Sequence, residues 1–178
     1  VVTFFTSYPA AYALSRKIEK FKGTMLVVLI IPLITDINIR IYGWVIFLVK
    51  DGVLSNILST MGVAYNSIMY TYLSTVIGMS YVYLPFMLFP LYLSFESLND
   101  ELFEVATDLG ASRWQSFRTV VLPLSVPGIL IGSLLTFLLS LGAEVESSML
   151  GGESIITMAN DITYSFGYQQ NWGLGSAK

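Results

Sequence analysis

Long apolar runs, rather than alternating patterns, dominate the chain. Residues 67–95 and 119–143 contain no charged side chain, and residues 24–49 are equally apolar except for Asp36 and Arg40. A helix needs about 20 mainly apolar residues to cross a membrane, so each of these ranges predicts a complete span. The sequence therefore predicts an all-α, polytopic bundle of transmembrane helices.

The two ends of the chain predict incomplete elements. Residues 1–14 are apolar but too short to span a membrane, and we interpret them as the end of a span. Residues 144–178 are expected to form an outer loop whose final GLGSAK leads toward a further helix. We expect one transmembrane domain over residues 1–178, a fragment that lacks its first and last spans. The alternative, a soluble protein with buried helices, requires polar helix faces that residues 67–95 do not offer.

Composition narrows the range of functions. Hydrophobic residues make up 54% of the chain and charged residues 12%, about half the charged share of a soluble domain. With no cysteine or histidine, no thiol nucleophile or imidazole base exists, and we assign no catalytic residue and no metal ligand. A net charge of −3 without a basic cluster does not suit nucleic acid. Residues 151–157 lack the lysine of a phosphate-binding loop, so ATP hydrolysis by that route is not expected here.

The basic residues predict how the chain is oriented. Six of them flank the predicted spans on one side and two on the other; these are Arg16, Lys17, Lys20, Lys22, Arg113 and Arg118 against Lys50 and Lys178. Because basic loops stay in the cytoplasm, residues 15–23 and 96–118 are predicted to be cytoplasmic. Residues 50–66 and those after Ala143 are then outside, which places Ser112 and Ser154 on opposite faces.

Two short amphipathic helices are predicted between the second and third complete spans. Asn99 can cap the first helix, with Asp100 and Glu101 in its first turn. Helical spacing then gives one apolar stripe, formed by Leu102, Val105, Ala106 and Leu109. Gly110 stands where a left-handed residue would end that helix.

The second helix carries its own start signal. Ser112 and Gln115 have the spacing of a capping box, and the apolar side that follows consists of Trp114, Phe117 and Val121. The two helices could simply lie at the membrane interface. However, the acidic residues of this stretch outnumber its two arginines, which suits a basic protein surface better than anionic lipid.

A fixed spacing runs through this stretch: Glu104-Val105-Ala106 is followed after three residues by Gly110, and after nine more by Val120, one residue and Leu122-Pro123. This spacing resembles the EAA loop of ABC-importer permeases of the binding-protein-dependent type. Val105 and Val120 replace the alanine and isoleucine of the family pattern. We call residues 96–123 the EAA-like loop. The resemblance implies that it docks on a separate ATPase subunit through Glu104, Val105, Ala106, Gly110, Ala111, Arg113, Leu122 and Pro123.

Two further stretches, Ile31–Gly62 and Tyr83–Leu98, look like regions of the spermidine/putrescine permease group. The matching residues in the first are Pro32, Arg40, Tyr42, Gly43, Gly52, Leu54 and Asn56. Permeases for iron(III), thiosulfate, molybdate and phosphonate share parts of this pattern. The resemblance implies a multi-pass inner-membrane transport subunit in lipid, with a second homologous permease subunit, an ABC ATPase dimer and an extracytoplasmic solute-binding protein. It also implies no cofactor in this chain, since ATP and Mg would bind the ATPase.

Charged and aromatic residues suggest where a solute could pass. Asp36 and Arg40 lie four residues apart, either as a mutually satisfied pair or as part of the pathway. Glu144 and Glu146 follow the last complete span. Aromatic faces that could stack on a cation come from Tyr81, Tyr83, Tyr164, Tyr168 and Trp172. Together, the acidic and aromatic residues would suit a polyamine or another cation. Solvated acids and interfacial aromatics are the alternative, and an integral-membrane enzyme or scaffold is the alternative of a different class.

Overall fold

The computed structural model describes residues 1–16, 22–99, 101–152 and 155–177. Within these ranges every regular element is helical and no strand occurs, which confirms the predicted all-α class. The first five helices are α1 (Val2–Arg16), α2 (Lys22–Ile34), α3 (Ile37–Leu48), α4 (Val53–Thr60) and α5 (Tyr72–Glu96). The remaining helices are α6 (Glu101–Asp108), α7 (Arg113–Ser116), α8 (Leu122–Leu124), α9 (Val126–Leu141), α10 (Met158–Gly167) and α11 (Trp172–Ala177). Two π-helical turns occupy Phe117–Val121 and Ser147–Gly151.

The predicted span over residues 24–49 is divided in the structure. Helix α2 ends at Ile34 and helix α3 begins at Ile37. Asp36 caps α3, because its carboxylate accepts a hydrogen bond of 2.8 Å from the backbone N–H of Asn38. A short polar side chain that bonds the local backbone in this way favours a helix start over a continuous helix.

Length and apolar composition mark the helical stretches that could cross a membrane. Residues 37–60 and 72–96 each satisfy these criteria. Residues 114–124 and 126–141 do so together, as a pair bent by 58° at Ser125. Pro127 explains the bend, since it has no N–H to donate to the carbonyl four residues earlier. The described residues thus contain two such stretches, or three if the bent pair counts as one span.

Two predicted loops contain more helix than the sequence suggested. Helix α4 lies within the predicted outer loop over residues 50–66, whereas in the structure it belongs to the stretch 37–60 that is long and apolar enough to cross a membrane. The predicted loop after Ala143 contains a π-helical turn and helices α10 and α11. Apolar runs of about 20 residues identify spans, but they do not detect helices as short as these.

The chain divides into two compact units. The first unit comprises Val1–Ile31 and Tyr83–Phe137. Its core is formed by α1, the second half of α5 and the turn at Val121, with the buried residues Tyr8, Ala11, Leu14, Met87, Leu88, Leu91, Tyr92, Phe95, Leu98 and Val121.

Close helix packing within the first unit depends on two glycines of α9. A Cβ on Gly128 would lie 2.6 Å from Cβ of Ser94 and 2.7 Å from the carbonyl oxygen of Pro90. A Cβ on Gly132 would lie 2.9 Å from the sulfur of Met87. Gly128 and Gly132 form a small-xxx-small pattern, which lets helix backbones approach closely. The sequence contains this packing signal, which the apolar composition of residues 119–143 does not reveal by itself.

The second unit comprises Pro32–Val82 and Leu138–Lys178. Its π-helical turn over Ser147–Gly151 packs on the start of α5, where the carbonyl oxygen of Leu150 accepts two hydrogen bonds. The donors are the backbone N–H of Tyr70 and the hydroxyl of Ser74, each at 2.8 Å. Leu150 is completely buried, and its side chain lies directly against Gly78.

Candidate functional sites

The EAA-like loop turns at a glycine elbow. The backbone N–H of Ala111 donates to the carbonyl of Ala106 at 2.9 Å, the six-to-one bond of a Schellman motif. Gly110 has φ +79°, and no atom lies within 4 Å of the position of an added Cβ. The requirement for glycine is therefore one of backbone conformation and not of space. The Gly110 helix end predicted from the sequence is confirmed.

Helix α7 begins with the capping box that the sequence predicted. The Ser112 N–H donates to the Gln115 side-chain oxygen at 2.8 Å, and the Gln115 N–H donates to the Ser112 hydroxyl at 3.3 Å. These two bonds satisfy backbone donors that a helix start leaves free. At the start of α6, the Asn99 carbonyl accepts from the N–H of Leu102 at 3.2 Å. Asp100 lies outside the described residues.

The apolar stripe of the loop is open to its surroundings. Leu102, Val105 and Leu109 are 43%, 56% and 82% exposed, and Trp114 is 68% exposed. Isolated exposed apolar residues are ordinary, but a contiguous exposed patch marks a contact surface. Of the other motif residues, Leu122 and Pro123 are exposed, whereas Ala106 and Ala111 are half-buried. Glu104 and Arg113 belong to α6 and α7, but their side chains lie outside the described part of the structure.

Stacked and edge-on aromatic rings connect this surface to the core of the first unit. Trp114 stacks on Phe117, with ring centroids 5.5 Å apart and planes at 18°. Phe117 meets Tyr8 and Tyr12 edge-on at 6.1 and 6.5 Å. These tyrosines contact Phe95 in the same manner at 5.1 and 5.6 Å. An exposed residue of the loop is thus linked to α1 and to the end of α5 by ring contacts.

Arg16 joins the end of α1 to the start of the EAA-like loop by hydrogen bonds. The sequence had indicated only its contribution to the orientation of the chain in the membrane. Its Nη2 donates to the carbonyl oxygens of Phe95 and Leu98 at 3.3 and 2.7 Å. A cation at a helix C-terminus satisfies free carbonyls and favours the helix dipole. One further polar contact, of 3.1 Å, joins the Tyr8 hydroxyl on α1 to the buried Ser125 hydroxyl at the bend.

Asp36 and Arg40 interact electrostatically, but the two residues do not satisfy each other's hydrogen-bonding groups as the sequence suggested. Asp36 instead caps α3. Arg40 lies in the next turn, where its Nε and Nη1 atoms are buried without a hydrogen-bond acceptor among the described residues. Arg40 lines a cavity of about 300 Å³ together with Gly43, Trp44, Phe47 and Tyr81.

The remaining pathway candidates occupy different environments. Tyr81 lines the Arg40 cavity, whereas Tyr83 is buried within the first unit. Glu144 is half-buried, and Glu146 is almost fully buried at 1% exposure. The alternative prediction that these acids are solvated loop residues is therefore wrong for Glu146. The outer aromatics Tyr164 and Tyr168 stack at 5.3 Å and are exposed, as is Trp172. Of these candidates, Arg40 and Tyr81 line the same cavity.

The sequence matches the family described as binding-protein-dependent transport system inner membrane component, over residues 7–177. The spermidine/putrescine transport system permease protein PotB of Haemophilus influenzae is 37% identical, covering 99% of this chain and 63% of that protein. PotB of Escherichia coli K12 is 40% identical, covering 96% of this chain and 62% of that protein. The molybdenum transport system permease protein ModB of Azotobacter vinelandii is 27% identical over 85% of this chain and 66% of that protein. The chain thus spans somewhat less than two thirds of the PotB relatives.

Proposed function

The chain belongs to the family of binding-protein-dependent transport system inner membrane components, and from this premise we propose a specific role for it. It forms part of the solute pathway of an ATP-driven importer, and its EAA-like loop docks on a separate ATPase subunit. The observation that carries this proposal is the set of exposed apolar residues on a loop with a defined turn, namely Leu102, Val105 and Leu109 of the stripe and Trp114 of the next helix. Helices that present apolar anchors in this way fit the groove of a protein partner.

The contacts of the first unit support a route by which docking would act on the membrane helices. A shift of Trp114 reaches Phe117 directly and then Tyr8, because these rings touch in sequence. Arg16 holds the end of α5 at the start of the same loop. Closely packed elements transmit small displacements because they cannot deform continuously. Movement of the loop would therefore move α1 and α5 together.

We further propose a polyamine as the solute and the usual set of importer subunits as partners. The names of the PotB relatives support the polyamine, and the sequence similarity to them exceeds that to ModB. A second permease subunit, an extracytoplasmic solute-binding protein and an ATPase that holds ATP and Mg would complete the assembly.

Uptake of labelled spermidine into proteoliposomes with excess putrescine, molybdate, thiosulfate, phosphonate or ferric iron tests the substrate. Competition by putrescine supports a polyamine, and competition by one of the others instead would contradict it.

Docking is tested by a charge placed on the exposed stripe. Leu109→Asp introduces a carboxylate at a residue that is 82% exposed, and Ile156→Asp is the control at a residue of 74% exposure in the second unit. We expect Leu109→Asp to reduce ATPase retained on the purified permease about tenfold, the range of an interface anchor. Ile156→Asp should retain the ATPase. Equal retention in both variants would show that the stripe is not the docking surface.

Orientation is tested by labelling single cysteines, which is clean because the chain has none of its own. We propose that Ser112 faces the cytoplasm and that the segment after Ala143 faces outward. Ser154 lies outside the described residues, so the exposed Gln169 is the better probe of the outer segment. Ser112→Cys and Gln169→Cys should react with a membrane-impermeant maleimide from opposite faces of sealed vesicles. Reaction from the same face would contradict the proposed orientation.

A further inference from the structure

The Arg40 cavity has an apolar wall with one cationic group. Its aromatic side is built around Trp44, whose ring meets Phe47 at 5.7 Å and Tyr81 at 5.6 Å, both edge-on. At Gly43, which also lines the cavity, nothing lies within 4 Å of an added Cβ. The cavity, of about 300 Å³, is thus bounded by rings and an uncovered stretch of backbone.

Arg40 gives the cavity its charge and its unmet hydrogen-bonding capacity. Among the described residues, no acceptor is available to its buried Nε and Nη1 atoms. A buried guanidinium is stable when an acceptor, preferably an anion, satisfies its N–H groups. The positive charge of the guanidinium attracts anions and repels cations. A polyamine is therefore an unfavourable occupant, although the aromatic rings alone would suit one.

The surface of α3 indicates where the anion comes from. Ile39, Tyr42 and Ile46 are 65%, 56% and 60% exposed on this helix. In an inner-membrane protein, exposed apolar residues on such a helix are suited to acyl chains, and tryptophan and tyrosine are suited to the headgroup level. A free phosphate ion would accept hydrogen bonds from Arg40, but it has no apolar part to contact the aromatic rings of the cavity. A phospholipid uses both, because its phosphate is joined to an apolar chain.

We propose that the Arg40 cavity binds an anionic phospholipid. The lipid phosphate accepts hydrogen bonds from Arg40, and the adjoining apolar part of the lipid lies against Trp44 and Phe47. The volume of the cavity suits only this portion of the lipid, so the rest of the molecule remains in the bilayer. The proposal depends on the membrane location of the chain and not on which solute is transported.

The test uses the complete transporter in nanodiscs that contain either brominated phosphatidylglycerol or brominated phosphatidylcholine at equal mole fraction. Bromine quenches nearby tryptophan, and the share due to Trp44 is the emission missing in Trp44→Phe. We expect Trp44 to be quenched about fivefold more effectively by the anionic lipid, the preference that one basic residue near the surface provides. Inorganic phosphate and spermidine should not relieve this quenching.

Three variants identify the cause of the preference. Arg40→Gln should abolish it, Arg40→Lys should retain most of it, and Lys50→Gln, which removes an exposed charge from the same unit, should leave it intact. Equal quenching by both lipids in the wild type would overturn the proposal, as would a preference that survives Arg40→Gln. Relief by phosphate alone would identify a free-anion site, and relief by spermidine a solute site, and either result would also overturn it.

Discussion

The EAA-like loop and the Arg40 cavity each contain a tryptophan in contact with other aromatic rings, but the prevailing charge of the two regions has opposite sign. Trp114 stacks on Phe117 beside a helix that contains Glu101, Glu104 and Asp108. Trp44 lies between Phe47 and Tyr81 next to the guanidinium of Arg40. Apolar area gives both surfaces a similar tendency to bind, because the hydrophobic effect is not directional.

Charge therefore distinguishes the two surfaces. An acidic apolar helix disfavours anionic lipid and favours a basic groove on a protein. A cationic aromatic cavity favours the reverse. Two surfaces of similar apolar character can in this way serve different partners, one in the aqueous phase and one in the bilayer.

The largest effect expected in this comparison comes from the elbow of the EAA-like loop. Gly110→Val should abolish transport and solute-stimulated ATPase activity while the subunit still inserts. Its φ of +79° is unfavourable for a residue with a Cβ by about 1–2 kcal/mol, and more for a β-branched one. Spermidine uptake and ATPase rates in proteoliposomes provide the measurement.

Gly62 is a matched control for this substitution. It has φ +75°, and nothing lies within 4 Å of an added Cβ, as at Gly110, but it belongs to the second unit. Gly62→Val therefore incurs a similar backbone cost outside the loop and should leave ATPase stimulation largely intact. If the two variants lose stimulation equally, general destabilisation explains the defect and the elbow has no specific function.

The next effect concerns the helix packing beneath the loop. Gly128→Ala should destabilise the first unit by about 1–3 kcal/mol, the usual cost of overpacking, because the new methyl meets Ser94 and the backbone of Pro90. Gly142→Ala is the control, since its nearest neighbour would be 3.7 Å away. Thermal unfolding of the purified subunit measures the difference. If Gly128→Ala and Gly142→Ala have equal melting temperatures, α5 and α9 accommodate the added methyl group without a loss of stability.

Local signals explain why the EAA-like loop could be predicted so closely. The glycine elbow and the Ser112–Gln115 box depend on residues three to five positions apart, and such geometry is contained in the sequence. The break at Asp36 is also local. It was missed because an apolar average over 24–49 hides a single capping side chain.

Contacts between distant segments explain what the sequence did not predict. The pairing of Arg16 with the end of α5 joins residues about 80 positions apart and has no periodic signal. The burial of Glu146 likewise depends on packing within the second unit. The same holds for Arg40 and Tyr81, which share a cavity only after α3 and α5 pack. Residue type alone could not separate a buried acid from a solvated one.

A smaller effect is expected from the capping box. Ser112→Ala removes the acceptor for the Gln115 N–H, which costs about 1 kcal/mol at a helix start and should weaken ATPase binding several-fold. Ser97→Ala is the control, because that hydroxyl donates to the carbonyl of Ser94 in the last turn of α5 and does not cap α7. Binding of the ATPase to permease nanodiscs, measured at several concentrations, reports the change. Unaltered binding in Ser112→Ala would mean that α7 keeps its position without the cap.

The smallest effect concerns the acids of the second unit, and it separates a partly exposed carboxylate from a buried one. Glu144 is half-buried, so its carboxylate can attract a cation through solvent. Glu146 is only 1% exposed, so its carboxylate is expected to influence the neighbouring protein groups instead. Exposed charges are screened beyond about 8 Å at physiological ionic strength. Glu144→Gln should therefore raise the spermidine concentration for half-maximal uptake by about twofold at low salt and have little effect at high salt.

Glu146→Gln should give the opposite pattern, with a lower melting temperature and no change in the salt profile of uptake. Glu146 is buried and already takes part in an interaction within the chain. Its replacement is therefore expected to disturb local packing and hydrogen bonding, and not the long-range attraction of a cation. Uptake curves at several ionic strengths, combined with thermal unfolding, distinguish the two variants. If Glu144→Gln leaves the salt profile unchanged, no electrostatic argument for a cationic solute remains in the second unit, since Arg40 repels such a solute. A salt-dependent defect in Glu146→Gln would instead show that this carboxylate becomes accessible in the complete transporter.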